Sequence, residues 1–295
     1  MNRSGFALLL VLTVLLNGCQ QEGTAIQASK RSAWREHVMK TRMEKDREFA
    51  KDPMSPMAAI DWFELIGNGP HGLRTDDETI MHTPVDQAEW LLNEDESGVW
   101  HLQKPGGDER TVDSGQAIPL NDRFTVVCYV IDGGIQVRVF DQDRPELRSF
   151  SSLRYYEPDT AYAVQARVER LSEPTPLKMV TSRNVEKSYF RVARLHFSLG
   201  GKDLVLAAYK MSLDGPYSDM YFVPFRDATS GSETYGAGRF LELPEPSGNA
   251  MLLDLNLAFN PLCNYSPAYN CPLPPAENTL LVPIEAGEKT YPIDH

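Results

Sequence analysis

The sequence predicts a mainly β protein: antiparallel sheets in a sandwich or barrel-like arrangement, preceded by one N-terminal α-helix. Three observations carry that reading. After Asp52-Pro53 the apolar residues recur with period two in short runs, and they keep doing so to the C-terminus. Glycine-bearing turns separate pairs of these runs at hairpin spacing. A stretch dense in good helix formers stands at Ser32 to Lys51, ahead of all of them. With 42% apolar residues among 295, the chain has material for one large β domain or two smaller ones.

Near its start the chain carries Arg3, an apolar run from Phe6 to Leu16 interrupted only by Thr13, and then Asn17-Gly18-Cys19. One early cation, an apolar run too short to span a bilayer and small residues ahead of a cysteine describe an export signal, not a transmembrane helix. The pattern resembles a bacterial lipoprotein signal. That resemblance implies cleavage after residue 18 and acyl chains on Cys19, several of which together give lasting membrane anchorage. Gln20 after the cysteine resembles the signal for onward export, so the expected location is the cell envelope, lipid-anchored at the periplasmic face of the outer membrane. Residues 19–31 read as a polar tether.

The predicted helix starts with Ser32 as N-cap and stops at Asp52-Pro53. Trp34, Val38 and Phe49 share one face at 100° per residue, while Glu36, Lys40, Glu44 and Arg47 form a solvated outer face. The first clear hairpin joins Phe124 to Ile131 with Ile135 to Phe140 through Asp132-Gly133-Gly134. In the segment Tyr162 to Glu169, the set Tyr162, Val164, Ala166 and Val168 faces the core and the alternate set faces water. A second hairpin joins Phe190 to Leu199 with Leu204 to Tyr209 through Gly200-Gly201-Lys202. His196 falls on its polar face, and Leu204 to Tyr209, apolar on both faces, belongs at the centre of a sheet. Met251 to Leu257 reads as a strand with Asp254 and Asn256 projecting together. A boundary near Ser149 to Tyr156 divides an N-terminal helix-plus-β unit (32–150) from a C-terminal β unit (151–295).

The formal charge is −12, and removing residues 1–18 takes away a cation and no acid. A surface this acidic repels phosphate backbones, and no concentrated Lys/Arg stripe offsets it, so nucleic acid is excluded as a partner. Export places Cys128, Cys263 and Cys271 in an oxidising compartment. A Cys263–Cys271 disulfide across the short loop between them is the expected pairing, worth about 2.5 kcal/mol in the chain-entropy model. Cys128, inside an apolar run, reads as a buried free thiol.

Two stretches are richer in specific polar and glycine residues than turns require: Phe225 to Leu243 and Leu253 to Tyr291. Asp227-Ala228-Thr229-Ser230-Gly231, Thr234-Tyr235, Gly238-Arg239-Phe240, Asp254-Leu255-Asn256, Asn260-Pro261, Cys263, Cys271 to Pro275, Glu277-Asn278 and Ala286 to Lys289 resemble the signature of a bacterial family known as domain of unknown function 1684. The resemblance extends loosely to Phe150 and to Trp34. One departure is Ala59 to Leu65, which carries Asp61 and Glu64 where the family is apolar. The resemblance implies a shared fold and site location, with no cofactor, substrate or activity attached.

Asp227, Thr229, Glu233, Tyr235, Arg239, Asp254 and Asn256 are the residues we read as lining one cleft, with Glu288 and Lys289 at its rim. Carboxylates there can serve acid–base hydrolysis, hold Ca²⁺, or help Arg239 and Tyr235 grip a sugar or peptide. The same residues can equally brace long turns by hydrogen-bonding backbone that has no ladder partner. Asp227 and Arg239 are the expected ion pair of such a brace. Gly236-Ala237-Gly238 lacks the third glycine and the strand-to-helix context of a dinucleotide loop. No Gly-x-Ser-x-Gly, Ser-x-x-Lys or His-Glu-x-x-His motif is present, and the six histidines are scattered. No cysteine has a second cysteine or a histidine at metal-ligand spacing. The expected function is therefore an envelope lipoprotein that binds a small ligand, a glycan or an envelope partner, with a carboxylate-based periplasmic hydrolase as the alternative.

Overall fold

The structure is a computed structural model that describes residues 11–107, 109–215 and 217–292, with side chains described from Lys30 onward. The signal segment, Cys19 and nearly all of the expected tether lie outside the residues whose side chains are described. In chain order the elements are α1 (Val11–Lys51), β1 (Ala59–Ile66), β2 (His71–Thr75), β3 (Ile80–Thr83), β4 (Trp90–Glu94), β5 (Trp100–Gln103), β6 (Glu109–Thr111), β7 (Ala117–Pro119), β8 (Phe124–Ile131), β9 (Gly134–Asp141), α2 (Pro145–Ser149), β10 (Ala163–Val180), β11 (Glu186–Leu199), β12 (Lys202–Lys210), β13 (Met220–Phe225), β14 (Arg239–Pro244) and β15 (Ala250–Asp254). They build three antiparallel sheets, ordered β1-β9-β8-β7, β3-β2-β4-β5-β6 and β14-β13-β12-β11-β10-β15. The expected fold class is the observed one. No described helix is long and apolar enough to cross a membrane.

The sequence dictates the hairpins directly. Leu199 pairs with Lys202 across Gly200 and Gly201, whose φ of 57° and 76° give the left-handed pair that a two-residue turn between twisted strands requires. Alternation along β11 buries Ala193, Leu195 and Phe197, leaving Arg194 and His196 half-buried. β12 is indeed central: Leu206 and Ala208 enter one core, Ala207 and Tyr209 the other.

Three packed layers hold the body together. Leu73, Trp100, Val126, Cys128 and Val137 fill the space between the two N-terminal sheets. Ala193, Leu206, Tyr221, Val223 and Leu253 line one face of the six-stranded sheet, which the last coil covers with Leu280, Val282, Ile284 and Ala286. The opposite face, with Tyr189, Tyr209 and Phe222, packs on Ala59, Val127 and Phe140 of the N-terminal unit. Cys128 is a free thiol whose pKa burial raises to about 12.

Three expectations are corrected. Ser32 does not cap the helix, because no glycine or proline separates Thr24 from Lys51 and α1 begins upstream. The strand expected to run from Met251 to Leu257 ends at Asp254, whose carboxylate accepts the Asn256 N–H and starts a 3₁₀ turn over Leu255–Leu257. Cys263 and Cys271 form no disulfide. Both are free, adjacent thiols, with the Cys263 N–H donating to Cys271 Sγ at 3.4 Å. Hydrogen bonds instead pin the Cys271 end of that loop to the turn between β10 and β11: Ser182 N–H to Cys271 O, Leu273 N–H to Val180 O, and Cys271 N–H to Ser182 Oγ.

Candidate functional site

Eight of the nine residues read as one cleft separate into three places, and Tyr235 stands apart from them. The first is a brace inside the turn between β13 and β14. Asp227 Oδ2 accepts from Arg239 Nη2 at 2.8 Å, and both side chains are wholly excluded from solvent. Asp227 Oδ1 takes the Thr229 N–H and hydroxyl at 2.8 and 2.6 Å, and the Ile284 N–H at 3.2 Å. The Arg239 guanidinium also donates to the main-chain oxygens of Ile284, Ala286 and Glu288, so one side chain stitches the C-terminal coil to the turn. Gly238 makes this approach possible: at φ 99° a Cβ there would stand 2.5 Å from Phe225 O. Tyr235 points elsewhere, its hydroxyl reaching Cys263 O at 3.4 Å.

The second place is an exposed pair. Lys289 Nζ lies 3.0 Å from Glu233 and 4.2 Å from the Tyr156 ring centroid. Lys289 holds the Glu233 carboxyl below its ordinary pKa.

The third lies under α1 and contains the residues that sequence reasoning missed. Helical geometry puts Trp34, Val38, Arg42, Lys45, Asp46 and Phe49 on one stripe, and this stripe docks on the C-terminal unit. Trp34 Nε1 donates to Asp254 Oδ2 at 2.6 Å. Asp254 Oδ1 in turn accepts Asn256 Nδ2 at 2.9 Å, so these two residues do share a patch. Arg42 donates to Tyr156 O and Asn256 O at 2.8 and 3.1 Å. Asp46 accepts the Leu153 N–H at 2.9 Å. Glu288, 1% exposed, receives three donors: Lys45 Nζ at 2.5 Å, Tyr265 Oη at 2.6 Å and the Asn260 N–H at 2.7 Å.

Between helix and unit lies a cleft of about 350 Å³, to which α1 contributes Arg42, Lys45 and Phe49, and the C-terminal unit contributes Tyr155, Phe259 and Glu288. Its wall is mostly apolar, with charge at defined points, which suits a small ligand. The Lys45 ammonium sits 4.8 Å from the Phe259 ring centroid and 5.4 Å from that of Phe49. The Arg42 guanidinium stacks 4.5 Å over Tyr155. Tyr155 Oη and Arg42 Nε are shut off from solvent, and the phenol lies against the Glu288 carboxylate. Burial first, then the charges of Glu288 and Asp46, push the Tyr155 phenol well above its ordinary pKa, so it stays protonated and able to donate.

Charge at 42, 45 and 46 fell on the same helical stripe as Trp34 and Phe49, and that was the available signal. The four charges expected to face outward, Glu36, Lys40, Glu44 and Arg47, are all exposed, whereas Arg42, Lys45 and Asp46 turn inward. Among the described residues no group of three His, Cys, Asp or Glu side chains is arranged to hold a metal ion.

Residues 148–289 match the family model described as protein of unknown function DUF1684. That span includes the brace and the C-terminal wall of the cleft, and leaves out α1. The chain is also similar to an uncharacterized protein of Haloarcula marismortui with a solution NMR structure, at 41% identity over 50% of this chain and 80% of that one, with a TM-score of 0.42. No curated protein matches the chain.

Proposed function

The chain belongs to the DUF1684 family of proteins of unknown function, and from that premise we propose that it is a lipid-anchored envelope protein that binds a small ligand between α1 and its C-terminal β unit. The observation that carries the binding reading is the cleft itself: a mostly apolar space of about 350 Å³, walled by Phe49, Tyr155 and Phe259, with the buried Glu288 carboxylate and the Lys45 ammonium at one corner. The anchoring part rests on the Arg3-to-Cys19 pattern. On this reading the mature chain begins at Cys19, within α1, so the helix that supplies one wall of the cleft also carries the lipid.

The hydrolase alternative has less support. Asp227 is enclosed by Arg239, Thr229 and Ile284, Glu233 is a surface partner of Lys289, and Asp254 is held by Trp34 and Asn256. None of them stands free beside the cleft as a general acid or base would.

Two measurements test the proposal. Cys19→Ser should move the protein from the membrane fraction to the soluble envelope extract. A screen of small solutes by thermal shift and ¹H–¹⁵N spectra should give hits whose shifts cluster at Tyr155, Ala258 and Phe259, and Ala258→Trp, which fills the cleft, should abolish them. Hits unaffected by Ala258→Trp would move the site elsewhere.

A further inference from the structure

The contents of the cleft carry an inference about the chemical class of its ligand, one that rests on the binding reading above. An ammonium already occupies the most elaborated corner of the site. Lys45 Nζ contacts the Glu288 carboxylate at 2.5 Å while lying over the rings of Phe259 and Phe49, and the carboxylate is fixed from behind by Tyr265 and the Asn260 N–H. Two aromatic faces and a desolvated, preoriented carboxylate are the recognition elements for an organic cation. The other acids of the wall, Glu44 and Glu48, give the mouth the same sign, and Arg42 spends its terminal nitrogens on main-chain oxygens. An anionic ligand would have to compete with these carboxylates, whereas a cation is favoured by all of them.

We propose that the cleft binds a small organic ammonium, primary or quaternary, and that Lys45 is an internal occupant which such a ligand displaces from Glu288. Lys45 is suited to leaving. Its side chain is 23% exposed, against 1% for Glu288, and a flexible four-carbon stem lets its ammonium swing to Glu48, which lies one turn on at i+3. The exchange replaces one ammonium by another at the carboxylate, so no buried charge is left unpaired during occupancy. The incoming molecule additionally fills the apolar part of the space. Self-occupancy lowers apparent affinity by the fraction of molecules in which Lys45 is bound, so removing the lysine should tighten binding by about tenfold or more.

The test uses the full chain with tetramethylammonium, choline and n-butylammonium chlorides as probes, 3,3-dimethyl-1-butanol as the neutral isostere of choline, and sodium chloride at matched ionic strength. In Lys45→Met, which leaves the Glu288 carboxylate without its cation, the ammonium probes should raise the melting temperature saturably and bind by calorimetry about tenfold tighter than in the wild type. Adding Glu288→Gln should remove that binding. If Lys45→Met does not fold, Phe259→Leu in the wild-type background serves instead, and should weaken ammonium binding while leaving the melting temperature without probe within a few degrees. Equal binding of the neutral isostere, or ammonium binding indifferent to Glu288→Gln, would overturn the ammonium assignment while leaving a ligand cleft. Absence of binding by every probe in every variant, together with no hits at Tyr155 in the solute screen, would remove both readings.

Discussion

Lys45 Nζ stands 2.5 Å from Glu288 Oε1, an ion pair between α1 and the last coil, separated by 243 positions in the chain. Glu288 is buried and Lys45 mostly so, which makes the pair asymmetric. Glu288→Ala takes the acceptor from Lys45, from Tyr265 and from the Asn260 N–H at once, and should destabilise by about 3–5 kcal/mol. Lys45→Met leaves a carboxylate still held by two donors and should cost about 2 kcal/mol. A urea double-mutant cycle should find the double variant less destabilised than the sum of the singles. Additivity would mean that the two groups do not interact.

Arg239 anchors the same coil from the other side, reaching Asp227 and three main-chain oxygens from a fully buried position. A lysine keeps the charge but offers a single point in place of a planar fork, so it cannot satisfy these acceptors together. Arg239→Lys should therefore destabilise by about 3 kcal/mol or more, nearly as much as Arg239→Met. Melting temperatures of the two variants check this, and a lysine variant close to wild type would show that charge alone suffices.

The β architecture was legible because its signals are local. Period-two runs and glycine turns set β8, β9 and β12 within a residue or two of their observed ends, and β11 at its turn end, although β11 begins four residues earlier than expected, at Glu186. The Asp227–Arg239 pair was legible for a related reason, since both residues bound one glycine-rich turn. What stayed hidden depended on distant partners. Arg42 and Lys45 look like ordinary solvated helix charges until the coil carrying Glu288 is laid beneath them. Met251 to Leu257 alternates like a strand over its full length, but a local capping hydrogen bond from Asn256 to Asp254 ends it halfway, which periodicity does not register.

Gly231 and Gly238 both have positive φ, at 87° and 99°, within one turn. They differ in what surrounds them. A Cβ on Gly231 has its nearest neighbour at 4.0 Å, whereas on Gly238 it would meet Phe225 O at 2.5 Å. Gly231→Ala should then cost about 1–2 kcal/mol from the backbone conformation alone. Gly238→Ala should cost clearly more, because a β13 carbonyl must also move. Urea midpoints of the two variants, measured side by side, give the ranking, and equal midpoints would contradict it.

Asp141 binds Arg123 through both carboxylate oxygens at 2.8 Å. Burial alone would raise its pKa, but the Arg123 hydrogen bonds and the Asp143 N–H outweigh it, and the folded-state value lies below the ordinary one. A depressed carboxylate stabilises the fold fully above its unfolded pKa, and that contribution is lost as pH falls through the folded value. Unfolding midpoints should thus drop below about pH 4. Arg123→Met should lie below wild type at neutral pH and converge on it in acid. A constant gap across the range would rule out the ion pair as the cause.

Asp46 carries the opposite sign. Burial, and after it the charge of Glu288, outweigh the Leu153 N–H and raise its folded pKa above the ordinary value. A carboxyl whose pKa rises on folding favours the folded state most when protonated, below its unfolded pKa, and that advantage disappears as pH climbs through the folded value. At neutral pH the ionised Asp46 therefore works against docking of α1. Asp46→Asn retains an oxygen to accept the Leu153 N–H and removes the charge. It should be at least as stable as wild type near neutrality, with the difference shrinking towards about pH 3, where the aspartate is itself neutral. Melting curves of the two proteins across that range decide the matter, and an asparagine variant that is weaker at neutral pH would mean that the charge helps to hold the helix down.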